Sequence, residues 1–188
     1  AVLMAADLGL GTCWLGGSFT RSSFTKRISA QGGEVLPAVV ATGYSASPDG
    51  SGDLLRKGVG GDKRLPWETL FFHEDFGKPL PAESAGPCAP ALESVRLGPS
   101  ASNKQPCRII KAGEAWHFYL QRTKGYRDGL TSRFLGTADL QRVDMGIAMC
   151  HFELMASELG LAGGWSVAEP AIAKPDALTE YTVSWIGR

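Results

Sequence analysis

Leu97-Gly98-Pro99-Ser100-Ala101-Ser102-Asn103-Lys104-Gln105-Pro106 is the stretch on which the reading of this chain turns. An apolar segment, Ala91 to Leu97, runs into it, and a β-like run, Cys107 to Lys111, leaves it. Between them sit two prolines, two serines, an asparagine and a glutamine, a dense supply of side-chain donors and acceptors. Pro99 fixes its own φ, and Pro106 biases Gln105 towards an extended backbone. A stiff polar loop between two elements suits ligand binding. A well-capped connection is the plainer alternative.

Outward from this loop the chain alternates short helices and strands. Towards the C-terminus, Cys107 to Lys111 and Ala115 to Gln121 predict a hairpin turning at Ala112-Gly113-Glu114. Asp144 reads as the cap of a long helix to Leu159, stopped by Gly160. Met145, Ala148, Met149, Phe152, Met155 and Leu159 share one face of it, a core stripe. Tyr181 to Ile186 closes the chain as a strand. Towards the N-terminus, Gly77 to Pro90 holds four prolines and is expected as a linker. Before it, Trp67 to His73 predicts a short helix, Gly43 to Gly61 a surface loop, and Val35 to Thr42 a buried strand. Ser18 to Gly33 is expected to contain a helix. The chain opens on a helix pattern, Ala1 to Leu8, stopped by Gly9 and uncapped. That abrupt start is expected of an N-terminally truncated sequence.

Composition narrows the function classes. At 188 residues the chain can bury roughly 70% of its unfolded surface. Nineteen basic and nineteen acidic residues cancel, which argues against electrostatic nucleic-acid binding. No apolar run reaches the ~20 residues of a membrane span. Cys13, Cys88, Cys107 and Cys150 are widely spaced without a C-x-x-C, and are expected as reduced, buried thiols of a cytoplasmic protein. His73, His117 and His151 lack ligand spacing, so no metal site is expected.

The chain also repeats itself. Met4-Ala5-Ala6-Asp7-Leu8-Gly9-Leu10-Gly11-Thr12-Cys13-Trp14 aligns without gaps on Met155-Ala156-Ser157-Glu158-Leu159-Gly160-Leu161-Ala162-Gly163-Gly164-Trp165. Met, Ala, Leu, Gly, Leu and Trp are identical in register. The repeat divides the chain into two tandem pseudo-symmetric halves, 1–76 and 91–188, joined by the linker 77–90.

Pro-Ser-Ala-x-Asn-x-Gln-Pro, at Pro99 to Pro106, resembles the flavin-contacting loop of nitroreductase-like flavoproteins, with Cys107 where that family usually has Trp. The repeated Leu-Gly-Leu helix end before a tryptophan resembles the family's helix and ring-contacting loop in both halves. The match is to the single-chain, two-half branch of Thermotoga type. The resemblance implies an α+β nitroreductase fold whose halves play the two subunits, which would allow a monomer. It implies a flavin mononucleotide bound by Pro99, Ser100, Asn103 and Gln105 from the second half. Trp14, Leu15, Gly16 and Gly17 from the first half would lie along the ring. Arg64, before Leu65-Pro66, matches the family's phosphate-binding arginine, with Lys63 beside it.

The implied activity is oxidoreduction, from a reduced nicotinamide, NADH or NADPH, through the flavin to a nitro compound, quinone or similar acceptor. The flavin N5 carries that chemistry, so no catalytic side chain is named. The rival reading is a non-catalytic protein of the same fold, holding another flat ligand or a partner. Taken residue by residue, Arg64 also reads as a surface charge, Ser100 and Asn103 as loop hydrogen bonders, and Trp14 and Trp165 as core anchors.

Overall fold

The computed structural model describes residues 1–16, 19–44, 58, 60–126 and 138–188. The chain divides into two compact units, 1–61 with 127–140, and 62–126 with 141–188. In the first, α1 (Val2–Asp7) leads into β1 (Gly11–Leu15), α2 (Arg21–Arg27) and β2 (Val39–Gly43). β1 and β2 form an antiparallel pair, with Trp14 opposite Val40 and Leu15 opposite Val39. The strand expected from Val35 begins only at Val39, beyond Pro37, whose missing N–H cannot join a ladder. Nor is it buried: four of its five residues are exposed. Gly17 and most of the 43–61 loop lie outside the described residues.

The second unit is a five-stranded sheet. In chain order come α3 (Trp67–Leu70), β3 (Phe71–His73), a 3₁₀ segment (Ala82–Cys88) and α4 (Ala89–Leu97). A 3₁₀ turn (Ala101–Asn103), β4 (Cys107–Ala112), β5 (Ala115–Gln121), α5 (Leu140–Glu158), β6 (Gly163–Ser166) and β7 (Thr179–Gly187) follow. The spatial order is β3-β4-β5-β7-β6, antiparallel except for the parallel β3–β4 pair. The helix expected over Trp67 to His73 therefore stops after one turn and becomes an edge strand. β-branching does not decide this; Phe71 does, being buried beside Ile109 of β4.

One face of the sheet carries the core. Ile109, Trp116, Phe118, Leu120, Val183 and Trp185 pack against Leu92 and Val95 of α4 and Met145, Phe152 and Ala156 of α5. Burying each such side chain contributes about 1.5–3 kcal/mol. Of the predicted α5 stripe, Met145, Ala148 and Phe152 are buried, and Met149 and Met155 pack at the margin. Leu159 is exposed, because it lies in the closing turn. The two helices are stapled: Ser94 Oγ donates to the His151 carbonyl at 3.0 Å, and His151 Nδ1 lies 3.1 Å from the Ser94 carbonyl.

Three further expectations change. α5 begins at Leu140, so Asp144 is buried inside the helix and is not its cap. The proline-rich 77–90 segment is folded: Pro79 bridges to Phe72, and Leu80 and Ala85 are buried. Its prolines suit a 3₁₀ segment that enters α4 with Pro90 in the first turn. Cys13 and Cys150 are exposed rather than buried, while all four thiols are free.

The sequence repeat has a local structural counterpart in each unit. After α1, Gly9 N donates to Ala6 O and Leu10 N to Ala5 O, both at 2.9 Å. After α5, Gly160 N donates to Ser157 O at 3.0 Å and Leu161 N to Ala156 O at 2.9 Å. Both are Schellman caps, with Gly9 at φ +72° and Gly160 at φ +69°. Each cap delivers a strand bearing the repeat tryptophan, Trp14 in β1 and Trp165 in β6, paired with a later antiparallel strand.

Candidate functional site

The loop from Gly98 to Pro106 connects α4 to β4, and the structure folds Lys63 to Leu65 against it. Gln105 makes the join. Its Oε1 accepts from Leu65 N at 2.8 Å, and its Nε2 donates to the carbonyls of Lys63 and Asn103 at 3.4 and 3.3 Å. Asn103 Nδ2 donates to Lys63 O at 3.0 Å. The Arg64 guanidinium donates to Asn103 Oδ1 at 3.4 Å and to Lys63 O at 3.0 Å. Its Nε and Nη2 both reach the carbonyl of Leu97, at 3.2 and 3.1 Å. That carbonyl is the last of α4, so Arg64 also places its charge at the negative end of the helix.

The loop is braced from inside as well. Ser100 Oγ accepts from Gln105 N at 2.8 Å, which leaves its own proton for another acceptor. Asp144 Oδ1 accepts from Ala101 N at 2.9 Å. Arg108 Nη1 donates to the carbonyls of Gln105 and Cys107, at 2.8 and 2.9 Å. Burial lowers the pKa of the Arg108 guanidinium.

Backbone strain concentrates here. Among the described residues five non-glycines have positive φ, and Ser102 (+49°), Asn103 (+52°) and Gln105 (+49°) are three of them. Each such conformation costs about 1–2 kcal/mol. Gln105, expected extended ahead of Pro106, is left-handed instead, because only that turn brings its amide to Leu65 and its N–H to Ser100. Strain retained by so many hydrogen bonds is a feature of sites whose geometry is over-determined.

Beneath the loop lies a cavity of about 20 Å³ bordered by Ser100, Gln105, Cys107 and Asp144. That is room for about one water and not for a ring system. A flat ligand at this loop therefore has to lie on its outer side. Cys107 sits against the core, and burial pushes its thiol up to about 12. It is a packing residue and holds a neutral thiol at ordinary pH.

Of the sequence-predicted site, the structure thus brings Lys63, Arg64, Pro99, Ser100, Asn103 and Gln105 into one place in the second unit. Trp14, Leu15 and Gly16 belong to the first unit, where β1 holds the first two. Trp14 is 41% exposed, so it is no core anchor. Gly16 is covered by Leu140, whose Cδ1 a Cβ at position 16 would strike. Gly17 lies outside the described residues.

Sequence reasoning missed Asp144 and Arg108. Nothing local marks Asp144, whose partner on the loop is 43 residues distant, whereas Arg108 reaches carbonyls only three and one residues away, at Gln105 and Cys107.

The donor set suits the polar end of a flavin mononucleotide. Lys63, Arg64 and exposed Lys104 supply positive charge for a phosphate, and Ser100 and Asn103 supply neutral polar groups for a ring edge. The apolar wall for the ring is not built by this loop.

Comparison with known proteins bears on family and fold. No curated protein matches the chain. Among solved structures, a putative nitroreductase from Thermotoga maritima superposes with a TM-score of 0.58 at 20% sequence identity. The match covers 98% of this chain but 58% of that one, so the chain spans little more than half of its structural relative. At that identity the likeness establishes fold. A family model described as "Putative TM nitroreductase" matches residues 1–156. That match takes in both the repeat's first copy and the entire polar loop, and the chain belongs to this nitroreductase family.

Proposed function

We propose that the chain is a flavin-dependent oxidoreductase of the nitroreductase kind, built from two tandem halves. One observation carries the reading. Lys63-Arg64 and the Ser100–Gln105 loop, some forty residues apart in sequence, are locked together by hydrogen bonds in the only stretch where strained non-glycine residues cluster among those described. When bound, flavin mononucleotide supplies two-electron chemistry between a reduced nicotinamide and a nitro compound, quinone or similar small acceptor.

The chain's own residues bind and orient. Lys63 and Lys104 neutralise the phosphate, and the Arg64 charge, fixed at the end of α4, adds to the field. Ser100 donates its remaining proton to an acceptor on the ligand. Asn103 and Gln105 hold the loop to the Lys63–Leu65 segment so that these groups keep their spacing. No side chain need act as acid or base.

The test is the visible spectrum of the purified protein after flavin mononucleotide is added in excess and the sample is desalted. Retained flavin absorption that bleaches with NADH or NADPH is the expected result, and Lys63→Gln and Asn103→Ala should each lower flavin affinity. A folded protein that leaves all the flavin in the filtrate overturns the proposal. It would favour a binding role in which Arg64 serves only as the cap of α4.

A further inference from the structure

The five-stranded sheet has a second face, opposite the one that meets α4 and α5. Trp116, Phe118 and Leu120 of β5 point into the core, so His117 and Tyr119 point to this other side. On β7 the pairing slips. Val183 stands opposite Phe118 and Tyr181 opposite Tyr119, which leaves Thr182 as a bulge. In a regular strand, residues three apart face opposite ways. The bulge undoes that for Tyr181 and Ser184, and the Tyr181 hydroxyl lies 2.7 Å from Ser184 Oγ. Ser184 is paired in register with His117, whose Nδ1 stands 2.6 Å from the same Oγ. His117 and Ser184 are both buried.

Tyr181 carries this chain of bonds out to the backbone. Its hydroxyl donates to the Ser166 carbonyl at 3.2 Å and accepts from Ala168 N at 3.2 Å. Its ring packs edge-on against buried Tyr119, with centroids 5.6 Å apart, which fixes where the hydroxyl sits. Ser166 ends β6, and Ala168 lies at the start of the 167–178 strap that returns the chain to β7. The far end of the strap is held by Asp176, which accepts from Leu178 N at 2.9 Å and from Gln121 Nε2 at 3.3 Å. Between the two ends, Lys174 and Glu169 form an ion pair at 2.9 Å, within the strap itself.

Four contacts meet at these three side chains: His117 to Ser184, Ser184 to Tyr181, Tyr181 to the Ser166 carbonyl, and Ala168 N to Tyr181. Each needs one hydrogen. The Ala168 amide, the tyrosine and the serine supply three. The fourth has to sit on His117 Nδ1. With the proton on Nε2 instead, Ser184 must donate to the imidazole and Tyr181 to Ser184, and the Ser166 carbonyl loses its donor. We propose that Tyr181 latches the strap and that His117 sets the latch. A neutral imidazole in the Nδ1–H form starts a one-way run of bonds through Ser184 and Tyr181 to the Ser166 carbonyl. Bonds in such a run polarise one another, so the buried end strengthens the exposed end. Opening the latch frees the strap as far as its Asp176 anchor. None of these residues belongs to the polar loop, so the proposal stands whether or not flavin binds there.

The experiment is heteronuclear NMR of the imidazole nitrogens in the whole chain at about pH 8, where burial keeps His117 neutral. The proton is expected on Nδ1, and a proton on Nε2 would overturn the proposal. Amide exchange reads the latch itself. Tyr181→Phe removes both strap contacts and should speed exchange at Ala168 on the order of tenfold, the effect of one or two hydrogen bonds. The amides of β5 and β7 should keep their rates. An unchanged Ala168 rate, or an equal acceleration throughout β5 and β7, would each refute the latch. Ser184→Ala cuts the imidazole off from Tyr181. The preference for Nδ1–H should then disappear, and Ala168 should exchange faster than in wild type but more slowly than in Tyr181→Phe. A Ser184→Ala protein that keeps the Nδ1–H form would overturn the role given to Ser184. The wild-type tautomer and Tyr181→Phe decide the matter even if Ser184→Ala, a substitution inside the sheet, fails to fold.

Discussion

Gln105 is where stability and site geometry can be separated. Replacing it with alanine removes the bond from Leu65 N at 2.8 Å and the two longer bonds to Lys63 and Asn103, while leaving φ at +49° unfavourable. One good hydrogen bond contributes about 0.5–1.5 kcal/mol, and leaving the partly buried Leu65 N–H without a partner moves the cost towards 1–3 kcal/mol. Gln105→Ala should therefore cost about 2 kcal/mol. Gln105→Gly loses the same bonds but relieves about 1 kcal/mol of left-handed strain, partly offset by the greater freedom of glycine in the unfolded chain. The glycine variant should be the more stable of the two by up to about 1 kcal/mol. In a chain of 188 residues, 1 kcal/mol moves Tm by about 2–4 °C, so alanine should lower it by roughly 4–8 °C and glycine by less. Urea unfolding, followed by tryptophan fluorescence, checks both. An alanine variant within about 0.5 kcal/mol of wild type would refute the clamp, and a glycine variant less stable than alanine would refute the strain. Under the proposed function, flavin affinity should fall in both, because both loosen the hold on the Lys63–Leu65 segment.

The remaining predictions concern charge and burial. Asp144→Asn exchanges a carboxylate acceptor for a neutral one at Ala101 N and should cost about 1–2 kcal/mol in chemical denaturation, with Asp144→Ala costing more. Brief alkylation of the native protein, read by mass spectrometry, should label exposed Cys13 and Cys150 and spare Cys107 until the chain is unfolded. The folded thiol of Cys107 and hydroxyl of Tyr119 both titrate near 12, above their ordinary values of 9.0 and 10.0. The folded state thus holds these protons longer than the unfolded one, and stability should decline from about pH 9 towards 12. On the acid side, burial lowers the pKa of His117 and of His151 below 6.5. There the unfolded chain takes up the proton first, so denaturant midpoints should fall as pH drops below about 6.5, and Ser184→Ala, which removes the 2.6 Å partner of His117, should change that slope.

Where local chemistry decides, the sequence was legible. Gly9 and Gly160 end their helices because only glycine takes the left-handed cap at no cost, and the hairpin turns at Gly113 for the same reason. The polar loop was visible because prolines and hydrogen-bonding side chains are concentrated in one short stretch. Where a distant partner decides, the reading failed. Phe71 looks helical until β4 is beside it, and Asp144 looks like a cap although α5 begins at Leu140 and leaves its carboxylate to brace Ala101 on the loop. Proline rules pointed the wrong way at Gln105, because a set of hydrogen bonds outweighs the bias that Pro106 imposes on its neighbour. The prolines of 77–90 resemble a tether, and only the burial of Leu80 and Ala85 shows them to be part of the wall.

The strand order has a consequence for how the protein folds. β5 lies at the centre of the sheet, and its two neighbours reach it across very different lengths of chain. β4 joins it through a turn of two residues, whereas β7 pairs with it from some sixty residues further on. Closing the short loop takes microseconds at most, while the long one carries a larger entropic cost before any contact rewards it. The β4–β5 hairpin is the natural nucleus, with docking of β7 as the slow step. The polar loop would then be shaped at the start of β4 while Trp116 still lacks its β7 neighbour, Trp185. The two ends of β4 would mature at different times, the loop end first and the indole end last.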